Sequence, residues 1–178
     1  MAVLENKADF TVERSEDSSS WKIIGSNIGT DTVIGFKRIE FNDGTLALDI
    51  DPGDTAGQAY RLYQAAFART PDMPGVAYHM KDMESNGLVL WNIANNFLAS
   101  PEFKSKYGEN LTDEEYVNLL YQNVLGRSAD PVAEVGWYRE QFDTGAMDWA
   151  AALIGFAESP ENVSLVAPQI EDGIWMPF

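Results

Sequence analysis

Three aspartates crowd into Asp49-Ile50-Asp51-Pro52-Gly53-Asp54, a turn in which hard oxygen ligands could converge on a cation such as calcium. The run departs from the helix–loop–helix calcium template. Its glycine falls one place early, and Tyr60 stands where the template has a bidentate glutamate. A second trace of calcium chemistry is Gly29-Thr30-Asp31-Thr32-Val33, the latter half of a glycine-rich nonapeptide, with Ser26 and Asn27 in place of its paired glycines. One such copy cannot build a roll in which each ion lies between successive turns. Weak calcium binding at Asp49, Asp51 and Asp54 and a plain acidic turn are the two alternatives, and the incomplete ligand set favours the second.

The other reactive types are sparse. His79 is the one histidine and there is no cysteine, which removes disulfides, thiolate metal sites and cysteine nucleophiles. No nucleophile elbow, phosphate-cradling glycine loop or His-Glu-x-x-His motif occurs. Carboxylates are too abundant for one pair to stand out as a glycosidase acid and base. The expectation is a protein that is not an enzyme.

Aromatic residues offer binding chemistry instead. Tyr78-His79 and Trp137-Tyr138 fall at equivalent places, and flat rings can stack on sugar C–H faces. Adjacent helical residues point about 100° apart, so one ring of each pair at most reaches solvent while the other packs. Packing is the simpler expectation for all four, and Trp91 and Trp149 read as core. Arg69-x-x-Asp72 and Arg127-x-x-Asp130 look functional because they recur, yet a structural role suits them better. An aspartate N-cap stabilises a helix by about 0.5–2 kcal/mol. An arginine at a helix end can bond the last carbonyls.

These residues must be positioned by two kinds of structure. Residues 1–52 predict a β-rich segment, with strands near 8–14, 20–24, 33–41 and 46–50 and a hairpin signal at Asn42-Asp43-Gly44. From Asp54 onward the apolar period becomes helical, so 53–178 predicts a helical domain, and the whole is mostly α (α+β). Ser100-Pro101-Glu102 and Ser159-Pro160-Glu161 each supply a capping serine, a proline at the first helical position and an early carboxylate. Thr112-Asp113-Glu114-Glu115 is a capping box.

An internal repeat organises the helices. Leu62-Tyr63-Gln64 recurs as Leu120-Tyr121-Gln122, and at the same shift Arg69 meets Arg127, Asp72 meets Asp130, Gly87 meets Gly145 and Trp91 meets Trp149. One inserted residue later Phe97 meets Phe156 and the two Ser-Pro-Glu caps align. Two units, about 59–107 and 117–166, should share one core with Tyr63 and Tyr121 inside. Ala133 stands where the first unit has Gly75, and His79 where the second has Trp137.

The charge is lopsided, 12 basic against 28 acidic residues and a net −16. Such a field repels nucleic acid and anionic membrane surfaces. No apolar run approaches a membrane span, and the first residues lack the pattern of a signal peptide.

The pattern Leu-Tyr-Gln, Arg-x-x-Asp, the aromatic pair and Ser-Pro-Glu, over about residues 55–176, resembles the bacterial domain-of-unknown-function 4214 family, itself similar to phycobilisome linker helical domains. The stretch Gly29 to Val33 and Ile39 to Asp49 resembles segments that flank calcium-binding repeats in type I-secreted proteins. That resemblance implies an extracellular protein exported without a cleaved N-terminal signal. The function it implies is a non-enzymatic interaction or adhesion module with an extracellular protein or polysaccharide as partner. A carbohydrate-binding or carbohydrate-active domain, or a structural spacer or export-associated tail, are the alternatives.

Overall fold

The computed structural model describes residues 5–26 and 29–178; Asn27, part of the degenerate glycine pattern, lies outside them. Among the described residues the chain forms six strands and eight α-helices. It runs β1 (Phe10–Arg14), β2 (Trp21–Gly25), β3 (Gly29–Val33), β4 (Arg38–Phe41), β5 (Gly44–Ala47), α1 (Thr55–Phe67), α2 (Met73–Ser85) and α3 (Leu90–Ala99). There follow α4 (Pro101–Tyr107), α5 (Asp113–Val124), α6 (Glu134–Asp143), α7 (Trp149–Ala157), α8 (Pro160–Ile170) and β6 (Ile174–Pro177). The fold is mostly α with a small β region, as the period change predicts. No helix among the described residues is long and apolar enough to cross a membrane.

The strands make two antiparallel three-stranded sheets, ordered β1-β2-β3 and β4-β5-β6. Trp21 and Ile23 alternate inward along β2, and Ile39 and Phe41 along β4. The single strand expected over 33–41 is broken. Ile34 and Phe36 face solvent and Gly35 takes a left-handed φ of 73°, because here the chain leaves one sheet for the other. The Asn42-Asp43 hairpin forms as expected, with Phe41 opposite Gly44. Gly44 is required for a different reason than turn conformation. A Cβ there would lie 2.5 Å from the Met176 carbonyl oxygen and 2.5 Å from the Trp175 ring.

Those last contacts belong to β6, which pairs along the whole of β5 from Gly44 opposite Pro177 to Ala47 opposite Ile174. The first sheet residues and the last strand therefore share a core. Phe41, Leu46, Ile50, Ala56, Tyr60, Val76, Met80, Val166, Ile170 and Ile174 belong to one apolar cluster, which crosses the boundary expected near residue 52.

A second cluster fills the helical part and draws on both units, with Leu62, Phe67, Phe97, Leu120, Leu153 and Phe156 buried together. Tyr63 and Tyr121 are inside it at 7% and 6% exposure, which places the two Leu-Tyr-Gln segments in matching environments. Helix α1 stands between the clusters. Ala56, Ala59 and Tyr60 face the sheets, while Leu62, Ala65 and Ala66 face the helices. A helix buried on nearly every side must satisfy its one charged side chain internally.

That side chain is Arg61, 1% exposed. Its Nε donates to Glu158 Oε1 at 2.6 Å and its Nη2 to Glu158 Oε2 at 2.9 Å. Nη1 donates to the Ile50 carbonyl at 2.8 Å and Nη2 to that of Asp51 at 3.2 Å. Gly57 makes room for this. A Cβ there would sit 2.4 Å from the Ile50 oxygen and 2.8 Å from Arg61 Nη1.

Two glycine substitutions separate these effects by chemical denaturation. Gly44→Ala drives a methyl into the β6 backbone and destabilises the fold by about 1–3 kcal/mol. Gly136→Ala, in α6 with open space around the new methyl, stabilises it by about 0.4–1 kcal/mol. Equal effects of the two would contradict the β5–β6 packing.

Candidate functional site

Each Arg-x-x-Asp turn is one corner of a larger lock. In the first unit Arg69 lies over the Tyr63 ring, 4.9 Å from its centroid, and its Nη2 donates to the Tyr63 hydroxyl at 2.7 Å. Its Nε donates to Glu102 Oε1 at 2.8 Å. Tyr63 in turn donates its hydroxyl proton to Asp72, which also accepts the Gly75 backbone N–H at 2.8 Å and so caps α2. In the second unit Arg127 lies 4.6 Å from the Tyr121 centroid and bonds Glu161 at 3.0 Å. The tyrosine of Leu-Tyr-Gln, the arginine and the glutamate of Ser-Pro-Glu are thus one assembly built twice.

The assemblies differ in one carboxylate. Glu134 makes two 3.0 Å bonds to Arg127 and accepts the Asp130 backbone N–H at 2.7 Å. Asp130 is left to cap the turn ahead of α6, accepting the N–H groups of Val132 and Ala133 at 2.9 and 2.7 Å. The expected arginine bonds to the preceding helix's last carbonyls are not what forms. Arg69 and Arg127 reach the carbonyls of Thr70 and Ser128 instead, while Lys106 bonds the final α1 carbonyl, Phe67. Ser100 and Ser159 cap α4 and α8 as expected, accepting from Phe103 and Asn162 at 3.1 and 3.2 Å.

The aromatic pairs divide as the helix geometry requires. Tyr78 is 62% exposed and Trp137 48%, whereas His79 and Tyr138 turn inward. His79 packs edge-on against Phe97 at 4.7 Å, and Tyr138 against Phe156 at 5.3 Å. His79 is therefore the counterpart of Tyr138, and the expected match of His79 with Trp137 is out by one residue. The extra residue of the second unit sits in the turn ahead of α6, since Val76 and Val135 are both buried one turn into their helices. Burial lowers the His79 pKa below its ordinary value and keeps the ring neutral.

Trp91 and Trp149 overturn the expectation of core packing. Trp149 is half-buried, stacked on Tyr116 with centroids 4.2 Å apart and planes 10° from parallel. Trp91 is 46% exposed. Helices α3 and α7 start one residue out of step with the Trp–Trp match: N-caps Val89 and Asp148 correspond, so Trp149 takes the place of Leu90.

The acidic turn is held by cations of the protein itself. Asp49 is buried against Arg38, which also reaches Glu84 at 2.5 Å. Asp51 pairs with Arg14 at 2.5 Å. Asp54 heads α1 without a side-chain cap bond. The three carboxylates do not converge, and no group of three or more His, Asp or Glu among the described residues forms a metal-ligand set. Sequence spacing missed the three arginines because each comes from a distant segment.

Two outcomes follow. Arg127 and the Asp130 N–H hold the Glu134 carboxyl at about 2, against an ordinary 4.5. The unfolded chain takes up this proton near 4.5 and the folded chain only near 2, so the contribution is complete above the first value and lost as pH falls to the second. In Glu134→Gln, unfolding free energy should decline less steeply across that window than in the parent, and equal slopes would remove the lock from the account. Calcium and magnesium at matched ionic strength should raise Tm equally, through screening of the net charge. A calcium-specific rise that vanishes in Asp49→Ala with Asp51→Ala would restore a metal site.

A comparison with curated proteins returned no match. The resemblance drawn over 55–176 finds support across a narrower span, from the middle of α3 into α8, covering the end of the first unit and nearly all of the second. Residues 94–166 match the model of a protein family described as a domain of unknown function, DUF4214.

Proposed function

We propose that this chain is a non-enzymatic interaction module acting outside the cell, with an extracellular protein or polysaccharide as its partner. The observation that carries the proposal is a duplicated exposed aromatic. Tyr78 on α2 and Trp137 on α6 stand at equivalent places in the two units, each beside an inward-packed ring. Tyr and Trp are the side chains that most often anchor interfaces. The charged residues of the repeated motif are meanwhile occupied in internal locks, so they hold the aromatics in place rather than meet a partner themselves.

Two linked contacts of modest strength reinforce one another, because the second forms at the high effective concentration set by the first. The strong acidity and absence of cysteine support an extracellular setting. The pattern from Gly29 to Asp49 supports a place beside calcium-binding repeats in a type I-secreted protein.

Adsorption of the labelled chain to washed bacterial cells, and to polysaccharide extracted from them, tests this. Tyr78→Ala and Trp137→Ala should each weaken binding, and the double variant should lose at least about tenfold in apparent affinity as avidity is lost. Both variants should melt like the parent, since the side chains lie in solvent. A double variant that binds as well as the parent sinks the proposal.

A further inference from the structure

The two helical units meet along a groove that neither the repeated locks nor the duplicated aromatics occupy. It is lined by Asn95 of α3, Asp113 at the start of α5, Phe142 at the end of α6, and Met147, Asp148 and Trp149 around the start of α7, and it encloses about 430 Å³. That volume falls in the range of small-molecule sites, about 300–1,000 Å³. Trp91 stands at its rim. The indole Nε1 donates to Asp148 Oδ2 at 2.8 Å, which pins the ring by its edge and leaves much of it in solvent.

Every polar group around the groove is held from behind. Asp148 Oδ1 accepts the Ala151 N–H at 2.7 Å as the cap of α7. Asp113 Oδ1 accepts the Trp149 indole N–H at 2.7 Å, and Trp149 is itself fixed by its stack on Tyr116. The Asn95 amide donates to the Trp91 carbonyl at 2.9 Å, so its own oxygen remains an acceptor. Groups fixed in this way need no ordering when a ligand arrives, which lowers the entropic cost of binding.

The chemistry selects among ligands. Asp113 and Asp148 both lie at helix N-termini, where the helix dipole already favours their charge, and each accepts an indole N–H. They have no outstanding need of a cation, yet each retains lone pairs that accept hydroxyl protons. A net charge of −16 repels anionic ligands. The exposed indole offers a flat apolar face beside these acceptors. A ligand that presents an apolar C–H face and a rim of neutral hydroxyl donors matches both features.

We propose that this groove between the units binds a neutral saccharide of one or two rings. A sugar ring lies on Trp91, and its hydroxyls donate to Asp148, Asp113 and the Asn95 amide oxygen. The site is separate from Tyr78 and Trp137 and does not depend on the function proposed for them.

The test uses the full chain labelled with ¹⁵N, with the indole N–H resonances of its five tryptophans assigned by Trp→Phe variants. The probes are maltose, cellobiose, lactose and mannobiose, with tetramethylammonium as the competing cationic probe. The Trp91 and Trp149 indole resonances should shift saturably with at least one disaccharide, at a Kd of about 1 mM. Trp91→Ala should weaken that binding at least about tenfold, as the stacking face is lost. Asp148→Asn should also weaken it while keeping the helix cap, since asparagine caps as well as aspartate. Trp137→Phe should leave it unchanged. No saturable shift with any of the four sugars, a response to tetramethylammonium alone, or binding that survives Trp91→Ala would each overturn the proposal.

Discussion

The fold turns on a single buried guanidinium. Arg61 sits in the middle of the most enclosed helix, and an unpaired charge there would cost several kcal/mol. Its partners come from three places: the chain leaving β5, the end of α7 in the second unit, and through Gly57 the backbone of its own helix. Satisfying that one side chain fixes where the strand segment exits, how α1 enters the core and where the second unit's last helices begin. Glu158 extends the same constraint by accepting the Gly53 N–H at 3.1 Å. The strand region and both helical units are therefore registered to one another by one charge.

Around that point the repeat supplies rigidity twice over. Each tyrosine–arginine–glutamate lock joins the end of one helix to the start of another some thirty residues later. Burial and a neighbouring carboxylate push both tyrosine hydroxyls to about 12, so they remain proton donors at any ordinary pH. The units have diverged at the third position of the lock, where Asp72 serves the first and Glu134 the second. That exchange accompanies the extra residue ahead of α6 and shows how a lock can be kept while its turn is rebuilt.

Local signals were legible in the sequence. The caps at Ser100, Thr112 and Ser159, the hairpin at Asn42-Asp43 and the inward tyrosines all follow from near neighbours or a strict period. What the sequence concealed depends on contacts between distant segments. Glu102 and Glu161 carry the locks, and their only signal was that they repeat with the arginines. The acidic turn looked like a ligand set because Arg14, Arg38 and Arg61 lie far from it along the chain. Trp91 was misplaced because a one-residue insertion moves the equivalence of α3 and α7 while leaving Gly87 and Gly145 aligned, both at left-handed φ near 70°. β6 was invisible for a related reason: Ile174-Trp175-Met176 is too short to announce a strand until β5 offers it an edge.

The pairing of β5 with β6 bears on how the chain can be made. A ribosome releases β4 and β5 early and β6 last of all, after every helix. Throughout that interval β5 presents an unpaired edge, and Phe41, Leu46 and Ile174 lack their shared cover. Closing a contact across nearly the whole chain is entropically demanding and slow. The helical core, drawn from closer neighbours, can assemble before the sheet does. Completion of the fold is therefore gated by the final few residues to emerge, and a chain halted just short of them would carry a formed helical body and an open, adhesive sheet.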